Sequence, residues 1–178
     1  MSSIRERALN AAITLVGTEG VRALTHGRVD AAAALPPGST SNHFRTRAAL
    51  LGGVVAWIAQ SERVDAGEPG IHSETQLTAA LTRMVEVQSG ALSARTRARY
   101  ALFLEADDDA AQPLRAQRIG FESWVRGILL EIGGTEAADR TPFLMAAAEG
   151  VLLHRLTVDP NAPVADVIAR AVRGALHD

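Results

Sequence analysis

Five consecutive polar residues, Ser39, Thr40, Ser41, Asn42 and His43, are the positions best suited to chemistry, and Phe44, Arg45 and Arg47 follow them closely. Hydroxyls, an amide and an imidazole pack poorly in a core but hydrogen bond well to base edges and phosphates. Arginine adds a planar fork that matches phosphate geometry. The chemistry indicated is recognition of a polyanion rather than the making of bonds. Phe44 is the exception, because a phenyl ring after a polar run folds inward and plugs a core. From Met1 to Leu50 six arginines face three acids, leaving this part three charges positive within a chain that totals −2. Positive charge is therefore concentrated beside the polar run.

The elements that must position these residues are readable around them. Thr25 is a good helix N-cap, and Val29, Ala32 and Ala33 then fall at helical spacing. Leu35-Pro36-Pro37-Gly38 cannot continue that helix. Proline suits a first turn, so the spacing predicts a second, short helix starting near Pro37. Thr46 is placed to cap a third helix whose first turn holds Arg47. An amphipathic helix over about 4–17 precedes the pair, with Ile4, Ala8, Ala12 and Leu15 on one face. Any helical hairpin with a Pro-Gly turn shares part of this pattern. The flanking arginines favour a DNA-binding helix-turn-helix.

The whole chain has 178 residues, 47% of them hydrophobic and only 4% aromatic, which suits an all-α protein better than a β-sandwich. Cysteine is absent, which excludes disulfides, thiolate metal sites and cysteine nucleophiles. No apolar run of about 18 residues occurs, so no membrane partner is expected. His26, His43, His72, His154 and His177 are scattered without metal-ligand spacing, and adjacent Asp107, Asp108 and Asp109 read as a solvated helix end. Without a phosphate loop or nucleophile elbow, no enzyme, metal or cofactor is expected.

Further helices follow the same logic. A fourth begins near Arg47 and carries Leu50, Leu51, Val54, Val55, Trp57 and Ile58 up to the loop Ala66-Gly67-Glu68-Pro69-Gly70. Ser73 caps a fifth, a sixth spans about 95–106, and Pro113 starts a seventh that Gly133-Gly134 stops. Thr141-Pro142 reads as N-cap and first helical residue of an eighth, closed by Asp159-Pro160. Pro163 opens the last, in which Val164, Val167, Ile168, Ala171, Val172, Ala175 and Leu176 form a clean apolar stripe. A stripe near a chain end needs a partner. The spacing therefore predicts a homodimer whose interface is built by the last two helices of each chain, with Val151, Leu152, Val164, Val167, Ile168, Ala171 and Val172 in it.

This layout resembles the TetR family of bacterial one-component transcriptional regulators. The likeness is strongest over about 4–51: the lead helix, the glycine before Leu24-Thr25, the Pro37-Gly38 turn, His43-Phe44 with a basic residue after it, and Ala48-x-Leu50-Leu51. Beyond the loop it rests on helix count and on Leu102-Phe103-Leu104-Glu105-Ala106 and Glu149-Gly150-Val151-Leu152-Leu153. Ala34 stands where the family turn often has glycine, and Thr40 and Ser41 stand where a large aliphatic residue and tyrosine are common.

The resemblance implies about nine helices, with a helix-turn-helix DNA-binding domain over 1–46 and a ligand-binding and dimerisation domain over 47–178, of which 47–65 is the connecting helix. It implies that Thr25 bonds phosphate as well as capping its helix, and that Arg28 reaches phosphate or a groove edge. Gly38 would permit close approach, Ser39 and Thr40 would face bases, and Asn42 would lie near base or phosphate. His43, Arg45 and Arg47 would hold phosphate. It further implies a pocket for an unknown small-molecule effector near Trp57, Met84, Tyr100, Phe103, Phe121 and Trp124. His154 and Arg155 would face either that ligand or the dimer rim. The function implied is a cytoplasmic repressor that binds palindromic double-stranded operator DNA as a dimer and is released by the effector. The alternative is a helical protein-interaction adaptor without DNA binding, which explains the terminal stripe but not the polar short helix.

Overall fold

A computed structural model describes residues 2–65, 70–105 and 108–177. Among them there are nine α-helices and no strand: α1 (Ile4–Glu19), α2 (His26–Ala32), α3 (Ser39–His43), α4 (Arg47–Asp65), α5 (Glu74–Ser89), α6 (Ser93–Glu105), α7 (Asp108–Asp139), α8 (Thr141–Thr157) and α9 (Ala165–His177). The all-α fold class follows from the sequence as expected. No helix of the described residues is long and apolar enough to cross a membrane. Most of the loop 66–70 and Asp107 of the acidic run lie outside the described residues.

The chain divides into two compact units, Met1–Gly67 with Ala94–Gln117, and Glu68–Ser93 with Arg118–Asp178. The first unit opens with α1, which starts on a capping box: Glu6 N–H donates to Ser3 Oγ, and Ser3 N–H donates back to the Glu6 carboxylate. Leu9, Leu24, Val29, Phe44, Leu50, Ile58, Leu102 and Leu114 share one buried core there. Ala8, Ala12 and Leu15 are buried as their spacing predicts, whereas Ile4, one turn from the chain start, is exposed. The second unit packs α5, α8 and α9 against one another around Leu77, Leu81, Leu144, Leu152 and Ile168.

Two boundaries differ from the sequence reading. Helix α7 runs through Pro113 rather than starting there, at the cost of one main-chain hydrogen bond. The helical backbone is interrupted at Gly134, φ +75° and ψ −165°, where the sequence predicts the stop, and a further helical stretch follows it up to Asp139. Arg140, not Thr141, is the N-cap of α8; the Thr141 hydroxyl instead donates to the Ala138 carbonyl and is buried.

The terminal stripe needed a partner and has one in its own chain. Val164, Ile168, Ala171, Val172, Ala175 and Leu176 are buried against α5 and α8, and Val151 and Leu152 are buried on α8. Six of the seven residues assigned to a dimer interface are therefore core of the second unit. Only Val167, 39% exposed, remains on the surface. Periodicity identifies an apolar face but not which chain covers it.

Candidate nucleic-acid interface

The site is built from α2, a sharp turn and α3. Thr25 caps α2 as expected, its hydroxyl oxygen accepting from Arg28 N–H. After α2 the chain turns through Ala34, which holds φ +50°, the left-handed region that non-glycine residues avoid. Arg7 of α1 donates to the carbonyls of Ala33 and Ala34 and ties the turn down. Gly38 then takes φ +90°, a conformation that explains glycine at this position without any appeal to DNA.

Helix α3 has only five residues and its own N-cap offers no side chain. Its first turn is held from α2 by Asp30, which is buried. Asp30 Oδ2 accepts from Gly38 N–H at 2.8 Å, and Oδ1 accepts from Thr40 N–H at 2.8 Å and from the Thr40 hydroxyl at 2.5 Å. Burial raises the Asp30 pKa, but these hydrogen bonds, with nearby His26, outweigh it and hold the carboxyl below its ordinary value.

Thr40 therefore corrects the sequence reading. It is 0% exposed with its hydroxyl committed to Asp30, so it faces the core and not the bases. The outward face of α3 consists of Ser41, Asn42 and His43, with Ser39 half-buried. The hydroxyls of Ser39 and Ser41 donate to the carbonyls of Pro36 and Gly38. Ser41 belongs on this face although it stood outside the residues assigned to DNA. Phe44 is buried as expected; a β-carbon on Gly53 would sit 2.4 Å from its ring, so α4 approaches Phe44 closely because Gly53 has none. Arg5 lies over the same ring, and His26 Nε2 lies 2.6 Å from the Phe44 carbonyl, which can only accept, so that nitrogen carries the proton.

The arginines divide by partner. Arg45 is exposed. Arg28 is paired with Glu19 at 2.5 Å on the surface. Arg47 donates to the carbonyls of Leu24 and Val21, so its guanidinium braces the chain ahead of α2. Arg47 is nonetheless exposed, as Arg45 is. The signals missed in the sequence are Asp30, an acid inside an apolar helical pattern, and the carbonyls that end short helices, which attract arginine.

The residues assigned to an effector pocket fall in both units. Trp57, Tyr100 and Phe103 belong to the first, where Trp57 and Phe103 pack partly buried against the core and Trp57 Nε1 donates to Asn10. Met84, Phe121 and Trp124 belong to the second, where the rings of Phe121 and Trp124 lie 5.6 Å apart between centroids and tilted by 33°. An open groove of about 540 Å³ between α5 and α9 is lined by Glu74, Thr78, Thr82, Arg83 and Ala169 among others, and by none of these six. Arg155 donates to Ser89 Oγ and to the Ala162 carbonyl, so it joins α8 to α5 and to the loop before α9, while His154 is exposed.

An all-helical chain with a helix-turn-helix arrangement near its start defines a class by fold, and similarity to known proteins narrows it. A family model described as the tetracyclin repressor-like C-terminal domain matches residues 72–178. The chain belongs to the TetR family of transcriptional regulators. Among solved structures it is similar to SCO1917, a TetR family member from Streptomyces coelicolor A3, at 26% identity over 98% of this chain and 99% of that one, with a TM-score of 0.75. The regulator RHA1_ro04179 from Rhodococcus sp. Rha1 gives 18% identity over 97% and 93% of the two chains, with a TM-score of 0.75. The multidrug binding protein EbrR, complexed with ethidium, gives 23% identity over 98% and 99%, with a TM-score of 0.65. The last two likenesses speak to the fold. No curated protein matched.

Proposed function

We propose that this chain is a cytoplasmic repressor that binds palindromic operator DNA as a homodimer and is released by a small-molecule effector. Residues 1–46 form the DNA-binding module in this reading, and 47–178 carry ligand binding and dimerisation. The observation that carries it is the short helix α3, fixed from behind by Asp30 while Ser41, Asn42 and His43 face outward beside exposed Arg45. Such a surface gives base-edge donors and acceptors next to a phosphate ligand. Asn42 and His43 take the reading role first given to Thr40, with Ser39 at the edge.

The dimer uses the outer faces of α8 and α9. Phe143, Ala146, Gly150 and Leu153 lie along one exposed line of α8, with Phe143 54% and Leu153 46% exposed, and on α9 Val167 is also exposed. Exposed apolar patches of this kind mark interfaces. For the effector, EbrR has been solved with ethidium and with malachite green, and within the second unit the neighbouring rings of Phe121 and Trp124 suit a mainly apolar ligand.

Selection from a pool of duplexes with a randomised core tests the reading. The full-length protein should enrich a motif with two-fold symmetry, its half-sites about one helical turn apart. Enrichment of no motif would overturn it.

A further inference from the structure

We infer that Asp30 is a positioning residue for sequence reading, its buried carboxylate fixing the roll and register of α3 and hence which side chains α3 presents. The inference rests on the DNA-binding function proposed above. A helix of five residues is too short to persist by its own propensity. Gly38 supplies no side-chain cap for the first-turn N–H groups of α3, of which only Ser39 N–H meets a carbonyl of its own segment, that of Pro36. Asp30, ten residues from Thr40 and on a different helix, supplies that cap.

Three donors from the first turn of α3 converge on its two oxygens, and one donor is a side chain. Main-chain bonds to Gly38 and Thr40 fix where the helix starts. The hydroxyl bond fixes its roll, because rotating α3 about its axis would carry Thr40 Oγ1 away from Oδ1. Ser41, Asn42 and His43 follow Thr40 directly, so an error in roll at Thr40 reaches them with nothing between to absorb it. Charge adds to the geometry, since a carboxylate is favoured at a helix N-terminus and its hydrogen bonds are stronger than neutral ones.

Asp30 touches no DNA in this scheme, so the test must separate reading from folding. The wild-type protein first selects a preferred duplex from a randomised pool. Affinities for that duplex and a scrambled one are then measured for the wild type, Asp30→Asn, Thr40→Val, Thr40→Ser and a core control, Leu15→Ala, at a temperature where circular dichroism shows each folded. Asp30→Asn should lose about tenfold in the ratio of selected to scrambled affinity, the worth of one charged hydrogen bond, while binding to the scrambled duplex stays within about twofold. Thr40→Val should move the same way by less, Thr40→Ser should keep the wild-type ratio, and Leu15→Ala should leave it unchanged.

A folded Asp30→Asn with the wild-type ratio overturns the inference, as does a Leu15→Ala that loses the ratio equally. If Asp30→Asn does not fold, Thr40→Val decides by the same criterion. A wild type without sequence preference overturns the DNA-reading function itself, and the inference with it. A wild-type preference that every variant keeps overturns the inference alone.

Discussion

Arg7 Nη2 on α1 donates to the Ala34 carbonyl at 3.1 Å and to the Ala33 carbonyl at 2.8 Å, and Ala34 is the one non-glycine residue of the described chain at positive φ. The strain of the turn between α2 and α3 is thus balanced by a bond from outside it. Ala34→Gly should relieve that strain and raise stability by about 1 kcal/mol. Arg7→Met should lower stability by a similar amount. Urea denaturation followed by circular dichroism measures both, and a destabilised Ala34→Gly would show that the turn is not strained.

Asp30 predicts how the first unit responds to acid. Its pKa is held below the ordinary value in the folded state, so the folded protein binds fewer protons than the unfolded chain in that range. The stability it contributes is full above the unfolded value near 3.8 and is lost as pH falls through the lower, folded value. Asp30→Ala should cost on the order of 3 kcal/mol at neutral pH, since it leaves the Gly38 and Thr40 donors unpaired. It should also flatten the stability profile between pH 4 and the acid limit. Denaturant melts at a series of pH values check both.

What the sequence shows of this site divides by the range of the interaction. The Thr25 cap, the Pro-Gly turn and the inward Phe44 depend on residues within a few positions of one another, and each is found where its spacing puts it. Thr40 looks like its polar neighbours, and only a carboxylate ten positions away turns it inward. Arg47 looks like Arg45 until the carbonyls of Val21 and Leu24 come within reach. The α9 stripe was legible as a stripe, but its cover is α5 and α8, which no local pattern identifies.

Within the first unit Glu62 on α4 and Arg99 on α6 form an ion pair at 2.9 Å, both nearly fully buried. The Glu62 Oε2 atom is buried and has no hydrogen-bond partner among the described residues, so the pair is incompletely satisfied. Glu62→Leu alone should cost about 3–5 kcal/mol, because it leaves the Arg99 charge buried without its carboxylate. Glu62→Leu with Arg99→Leu should recover most of that loss. A double-mutant cycle in urea measures the coupling; additive losses would mean that the two charges do not depend on each other.

Burial separates the interface from the core on neighbouring residues. Phe143→Arg or Val167→Asp should weaken a dimer while leaving helix content intact, since both side chains are exposed on a single chain. Ile168→Asp, fully buried, should instead unfold the second unit. Sedimentation together with circular dichroism distinguishes the two outcomes. A wild type that sediments as a monomer at micromolar concentration would remove the dimer from the account.

The central claim, that α3 and its neighbours bind DNA by sequence, is tested most directly by fluorescence anisotropy with the preferred duplex and a scrambled one at about 50 and 200 mM salt. The account predicts tighter binding to the preferred duplex at both salts and weaker binding to both duplexes at the higher salt. Arg45→Ala should weaken both equally and reduce the salt slope by about one phosphate contact, and Asn42→Ala should reduce the preference. Equal affinity for the two duplexes, or binding indifferent to salt, would contradict it.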